Sequence, residues 1–370
     1  MEHNRTSDTT FTDGVSEYND TSSDNSFSPL IERLSGREVK NAPPSVWFMR
    51  QAGRSLPEYR KVREGISMLD ACLTPDLVAE ITAQPVRRHR VDAGIFFSDI
   101  VVPLRLLGIG VDIKPGVGPV LDKPVRTAAD VAALPSPELI DDALAPISEA
   151  VSLSVKKLGA TPLIGFCGAP FTVASYMVEG GPSKQHVRTR AMILSEPATW
   201  HRLAEWVAEV SARFLAAQVR AGARAVQVFD SWAGHLSVDN YREAVAPHTQ
   251  RVFSHIAELA PELPRIHFAV GASHLLPQML DAGASVIGVD HRIRLSQALS
   301  SLPRAVPLQG NIDPASLFAS EEARFKHAAQ VVADGACAPG HVVNLGHGVP
   351  PETDPQVLTD LVSFLHGIRA

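Results

Sequence analysis

The chain has 370 residues, 45% of them hydrophobic, enough to bury a large core as one big domain or two ordinary ones. A net charge of −6 argues against general attraction to nucleic acid or a membrane surface, and no run of eighteen apolar residues offers a membrane span. Three widely spaced cysteines, Cys72, Cys167 and Cys337, exclude a disulfide framework and any Cys-x-x-Cys pair, so free thiols are expected. The opening residues lead into no apolar leader core, and the expectation is a soluble, cytoplasmic protein.

Residues 1–28 are rich in Ser, Thr, Asp and Asn and hold too few aliphatic groups to offset the entropy of ordering, which predicts a disordered tail ahead of a single folded unit over 29–370. The stretch Trp47 to Tyr59 follows. Its Arg50 and Arg54 share a face if the segment is helical, or line one wall of a pocket if Gly53 turns it into a loop. From Arg50 to Glu64, five basic side chains against two acidic ones give a local charge of +3 on an acidic chain, which points to a specific anionic ligand. Taken alone, the charges are explained more simply by a solvated helix laced with intrahelical ion pairs. The neighbours Trp47, Phe48, Met49, Ala52, Gly53 and Pro57 instead favour arginines held against a packed, turned backbone.

Thr74-Pro75-Asp76 predicts a helix start with a hydroxyl cap, a first-position proline and a first-turn acid; the helix runs to about His89, bent or interrupted at Pro85. Ala93 to Asp99 reads as a buried strand, and the Gly- and Pro-punctuated segment Leu107 to Pro124 as a small hairpin excursion. A helical segment from Pro137 to Leu158 precedes a strand over Pro162 to Cys167. A long helix then opens at Ser195-Glu196-Pro197 and closes at Gly222. Further strands are expected over Ala225–Phe229, Ile266–Val270, Ser285–Val289, Ala305–Leu308 and His341–Leu345, with helices between them, among them Ser273–Asp281. Alternating strands and helices imply a parallel sheet. Seven strands leave a closed eight-stranded (β/α) barrel one short, and an open doubly wound sheet is the alternative, though no Gly-x-Gly-x-x-Gly follows the first strand.

In such barrels chemistry sits at the carboxyl ends of the strands. Those ends read Ser98-Asp99, Cys167-Gly168, Asp230-Ser231, Gly271, Asp290, Gly310-Asn311 and Gly346-His347, a polar floor on an apolar body. Asp99, Asp230 and Ser231 would serve equally as helix caps, and His347 as a histidine satisfied by a carbonyl. Tyr176 falls nine residues past Cys167, on a loop or first helical turn, where a half-buried aromatic with a wet hydroxyl is the plain alternative. Cys167 reads as a small packed residue, since no base is placed beside it. Gly180-Gly181-Pro182-Ser183-Lys184 lacks phosphate-loop spacing.

The run PSVWFMRQAGRSLPEYR from Pro44 and the run GFCGAPFTVASYMVEG from Gly165 resemble the two signatures of the uroporphyrinogen decarboxylase family. The resemblance continues through FFSDI at Phe96, FDSWAGHL at Phe229, LQGNIDP at Leu308 and NLGHGV at Asn344, and covers about residues 29–370. It implies a single-domain (β/α)8 TIM-type barrel and the loss of four carbon dioxide molecules from the acetates of uroporphyrinogen III, giving coproporphyrinogen III in haem biosynthesis. No cofactor or metal and a homodimeric assembly are also implied. By the same resemblance Asp99 is the central anion facing the pyrrole NH groups, Arg50 and Arg54 hold side-chain carboxylates, and Tyr176, Ser231 and His347 position carboxylates by hydrogen bonds.

A corrinoid-linked, zinc-dependent methyltransferase of the same superfamily is one rival. It would want a His-x-Cys pair and a later cysteine, where this chain has His267-Phe268-Ala269 and His347-Gly348. A non-catalytic tetrapyrrole binder is the other, and it would need the pocket without an anion at its centre.

Overall fold

The computed structural model describes residues 27–369. Most of the expected tail, residues 1–26, lies outside the described residues. Ser28 already belongs to the fold: it is buried, and its hydroxyl accepts from the Ile31 amide at 3.5 Å to cap the helix Pro29–Leu34.

Ten strands follow in chain order: β1 (Ser45–Val46), β2 (Gly94–Ile95), β3 (Val111–Lys114), β4 (Gly118–Leu121), β5 (Leu163–Gly168), β6 (Ala225–Phe229), β7 (Arg265–Phe268), β8 (Val286–Gly288), β9 (Leu308–Gln309) and β10 (His341–Val343). β3 and β4 form the expected antiparallel hairpin. The other eight make one parallel sheet in the order β1-β10-β9-β8-β7-β6-β5-β2. Its edges meet where the Asp92 amide donates to the Val46 carbonyl at 2.8 Å and the Val46 amide donates to Asp92 Oδ2 at 2.7 Å. A side-chain carboxylate thus takes the place of a strand carbonyl at the seam, and the sheet curls into a (β/α)8 barrel. The strand absent from the sequence reading is β1. Two residues after Pro43-Pro44 are too short for any alternation to register, and tertiary pairing alone makes them a strand.

The seven expected strands are all present, several of them shorter than their apolar runs; Ala305–Leu308 shifts to Leu308–Gln309. The segment Pro137–Leu158 divides into a 3₁₀ turn, Pro137–Ala143, and a helix, Ala145–Leu158. The helix Pro75–His89 runs through Pro85 without interruption. Thr74 gives it no side-chain cap, because its hydroxyl donates instead to the Asp70 carbonyl at 2.8 Å. The long helix is Pro197–Arg220, with Trp200, Leu203, Val207, Val210 and Phe214 buried at helical spacing against β5 and β6. Cys72 and Cys167 are buried and Cys337 is exposed, all three as free thiols.

A buried polar chain crosses the barrel interior. Trp47 Nε1 donates to Gln309 Oε1 at 3.0 Å, and Gln309 Nε2 donates to Gln227 Oε1 at 2.8 Å, all three side chains being essentially inaccessible. It ties the segment after β1 to β9 and β6. Gln309→Met keeps the volume but orphans the Trp47 donor and the Gln227 acceptor. It is expected to cost roughly 2–4 kcal/mol, read as a lowered urea midpoint at unchanged slope. A loss below about 1 kcal/mol would show that the chain is not a stabilising link.

Candidate active site

The segment after β1 leaves the barrel wall under tight control. The Trp47 amide donates to the Val343 carbonyl, the Met49 amide to Asn344 Oδ1 at 3.0 Å, and the Val349 amide back to the Met49 carbonyl at 2.8 Å. Gln51 is fully buried; its Oε1 accepts from the Phe48 amide and its Nε2 donates to the Ala93 carbonyl. Between these fixed residues Arg50 sits exposed in the left-handed region, φ 60°, a conformation that costs a non-glycine residue about 1 kcal/mol and is held by the bonds on either side. Its stem lies over Gly348, where a Cβ would fall 2.5 Å from Arg50 Cδ. The segment is therefore a loop, not a helix face.

The five basic side chains of this region divide by partner. Arg60 donates to the Arg54 carbonyl, Arg63 donates to Tyr59 Oη at 2.7 Å and to the Ile66 carbonyl, and Glu58 pairs with Arg88 from another helix at 2.6 Å. No intrahelical ion-pair ladder forms. Lys61 lies exposed, and among the described residues the guanidinium groups of Arg50 and Arg54 make no hydrogen bond or ion pair.

Asp99 lies four residues past β2, half-buried. Its Oδ1 accepts from the Val101 amide at 3.1 Å, but the short helix that follows, Val102–Leu106, takes no side-chain cap, so Asp99 is not the helix cap that the sequence also allowed. Burial raises its pKa from the usual 3.8, against the opposing pull of the Val101 amide and of Arg50. Tyr176 is in the second turn of the helix Pro170–Glu179, further into the helix than the sequence suggested. Its phenol is pushed up to about 12 by burial first and the Asp99 charge second, with Arg50 opposing. His347 opens to solvent at the rim yet is ringed by protein. That ring, followed by the Arg50 charge, lowers its pKa. Arg50, Asp99, Tyr176 and His347 thus share one electrostatic neighbourhood at the carboxyl ends of β1, β2 and β10, with the helix after β5 contributing the phenol.

Ser231 follows β6, half-buried, its hydroxyl without a partner among the described residues. Next to it the Trp232 ring packs on Tyr176 with centroids 4.0 Å apart. Arg54 is exposed and makes no hydrogen bond or ion pair with the other five. Asp230 lies beneath the floor, fully buried, with its Oδ1 accepting from the Thr172 hydroxyl at 2.7 Å and its Oδ2 3.8 Å from His267 Nε2. It is a structural carboxylate. Burial pushes the Cys167 thiol up, in keeping with a packed residue.

Two features escaped the sequence. Trp232 stacks between Tyr176 and the buried His186 ring, 4.2 Å away, and the charged residue Arg292 follows Asp290 at the end of β8. Trp232 directly follows Ser231 and Arg292 lies two positions past Asp290, so extending each strand end by two positions would have found them.

A parallel (β/α)8 barrel, with a half-buried carboxylate and, among the described residues, a guanidinium free of ion pairs at its strand carboxyl ends, has the form of an enzyme of that class with a place for an anionic substrate. The model of the family described as uroporphyrinogen decarboxylase matches residues 25–368, and the chain belongs to that family. It is 59% identical over 341 residues to a uroporphyrinogen decarboxylase from an Arthrobacter species, covering 92% of this chain and 97% of that one. A uroporphyrinogen decarboxylase from Saccharopolyspora erythraea is 56% identical over 350 residues, covering 92% and 95%. Among solved structures, a methyltransferase from Methanosarcina mazei superposes with a TM-score of 0.75 over 91% of this chain and 97% of that one; at 17% identity the likeness is one of fold alone. Among the described residues no helix is long and apolar enough to cross a membrane.

The raised pKa of Asp99 has a stability consequence with a definite sign. A group whose folded pKa lies above its unfolded value favours folding below the unfolded value and loses that contribution as pH rises through the folded one. Above the unfolded value Asp99 therefore carries a cost, which Asp99→Asn removes. The variant is expected to melt above the parent at pH 7, with the margin vanishing as pH falls towards the usual 3.8. Scanning calorimetry across that range checks it; a variant melting below the parent at pH 7 would refute it.

Proposed function

We propose that the chain removes carbon dioxide stepwise from the four acetate side chains of uroporphyrinogen III to give coproporphyrinogen III. The observation that carries this reading is the half-buried carboxylate of Asp99, set in the field of Arg50, whose guanidinium has no ion-pair partner among the described residues, at the barrel mouth in a chain of this family. Loss of carbon dioxide from an acetate needs an electron sink, and the pyrrole supplies it. Protonating the ring carbon that bears the acetate makes an iminium-type cation. The bond to the carboxylate then breaks, its electron pair neutralises the cation and carbon dioxide leaves. The resulting methylene takes a proton to become methyl as the ring carbon gives up its own, so one proton is consumed per cycle.

Asp99 accepts the pyrrole NH groups and stabilises the cation as it forms, an electrostatic contribution strengthened by the same partial desolvation that raises its pKa. Arg50 and Arg54 hold side-chain carboxylates, for which a guanidinium offers a two-pronged edge. Tyr176, with its phenol near 12, stays protonated and donates; Ser231 and His347 supply further hydrogen bonds to carboxylates. The methyltransferase reading lacks a thiolate, since Ala269 stands where its first cysteine would be.

Anaerobic incubation with the reduced octacarboxylate, following products with seven to four carboxylates, tests the reaction. Asp99→Asn is expected to lower kcat at least roughly a hundredfold, about 2.7 kcal/mol, with a much smaller change in affinity, while Asp99→Glu keeps the charge and retains more activity. Equal turnover in the two variants would mean that Asp99 positions the macrocycle and does not stabilise its cation.

The assembly we infer is a homodimer with facing mouths that shelter partly decarboxylated intermediates, supported by the family likeness and by the prevalence of two-fold pairing. Sedimentation should give a dimer at micromolar concentration; a fully active monomer would reject it.

A further inference from the structure

The geometry points to Arg292 as a further carboxylate-binding residue of this site, gripping a substrate side chain on a pyrrole remote from the one reacting at Asp99. The inference rests on the reading of the substrate as a macrocycle ringed by carboxylates. Such a molecule must present each acetate in turn to one fixed anion, so its other carboxylates need cations further round the mouth than Arg50 and Arg54.

Arg292 meets that need by position. It follows the end of β8, three strands round the barrel from β1, and its neighbour His291 packs on Gly346 while Arg50 packs on Gly348, the two glycines that flank His347, on whose pKa the charges of Arg50 and Arg292 both act. Its backbone is pinned: Asp290, nearly inaccessible, accepts from the Arg292 amide at 3.1 Å and from the Gly271 amide at 2.5 Å, and His291 packs so closely on Gly346 that a Cβ there would fall 2.2 Å from the His291 amide nitrogen. Asp290 engages one side of the guanidinium through Nη1 at 2.5 Å. The remaining Nε and Nη2 have no partner among the described residues, and the side chain is 52% exposed. A guanidinium oriented by a buried carboxylate on one side and open on the other is preorganised for bidentate capture of a carboxylate. Because that side chain is remote from the bond being broken, the contact is equally strong in ground and transition states, and its loss raises KM without lowering kcat.

The test uses the full chain and two measurements, anaerobic turnover of the reduced octacarboxylate and fluorescence titration with the oxidised octacarboxylate porphyrin. Arg292→Gln is expected to raise KM and the porphyrin Kd about tenfold or more, with kcat within about threefold and Arg292→Lys recovering part of the loss. Arg304→Gln, an exposed cation just ahead of β9 at the far end of the barrel, should change neither. A Kd for Arg292→Gln within about twofold of the parent, or an equal loss in Arg304→Gln, overturns the assignment. Should the parent bind the porphyrin without decarboxylating the reduced form, the reading of the reaction fails, while the comparison of Kd values still decides Arg292.

Discussion

The seam between Val46 and Asp92 is the constraint on which the molecule turns. Closing a barrel needs a first strand, and here that strand is two residues long, so its hold comes from elsewhere. It pairs with β10, borrows the Asp92 carboxylate as a substitute carbonyl, and continues into a segment fixed by Asn344, Gln51 and the Trp47–Gln309–Gln227 chain. The same bonds that close the barrel force Arg50 into its unusual backbone conformation and deliver its side chain over Gly348 to the mouth. Closure and ligand recognition are one structural event.

The centre of the site trades stability for chemistry. Asp99 is held partly desolvated with two backbone amides, of Val101 and Ile100, and a neighbouring guanidinium to compensate it. Its energy is therefore above that of a solvated carboxylate, which is the condition under which an incoming NH group or a forming cation gains most from it. Asp230, two strands round the barrel, shows the opposite solution: fully buried, bonded to the Thr172 hydroxyl, and spent on architecture.

Long apolar runs and strand-end polar residues made the barrel and most of its mouth legible in the sequence. Val226, Val228, Ile266 and Ile287 advertise buried strands whatever their tertiary partners, because parallel strands covered on both faces are continuously apolar. β1 carries no such pattern, and nothing local distinguishes it from the loop around it. Thr74 misleads for a related reason: its hydroxyl is within reach of both a cap and the Asp70 carbonyl, and packing of the preceding short helix decides between them. The site residues divide likewise. Arg50 and Arg54 stand out by charge against an apolar setting. Which of the nearby cations stay unpaired depends on Tyr59, Ile66 and the backbone at Arg54, contacts that spacing alone does not reveal.

The pairing of β1 with β10 also sets the order in which the protein comes into being. Val46 finds its strand partner Val343 some three hundred residues later, so a growing chain carries an unpaired first strand, with Arg50 and the buried residues around it, through nearly all of its synthesis. At the usual 5–20 residues per second that is on the order of 15–60 s. Until then the β10-facing backbone of β1 has no native partner, and the open edge of the half-made barrel is at its most vulnerable to association with other chains. The mouth therefore assembles last, and an incomplete chain lacks the fold that would hold Arg50 in place.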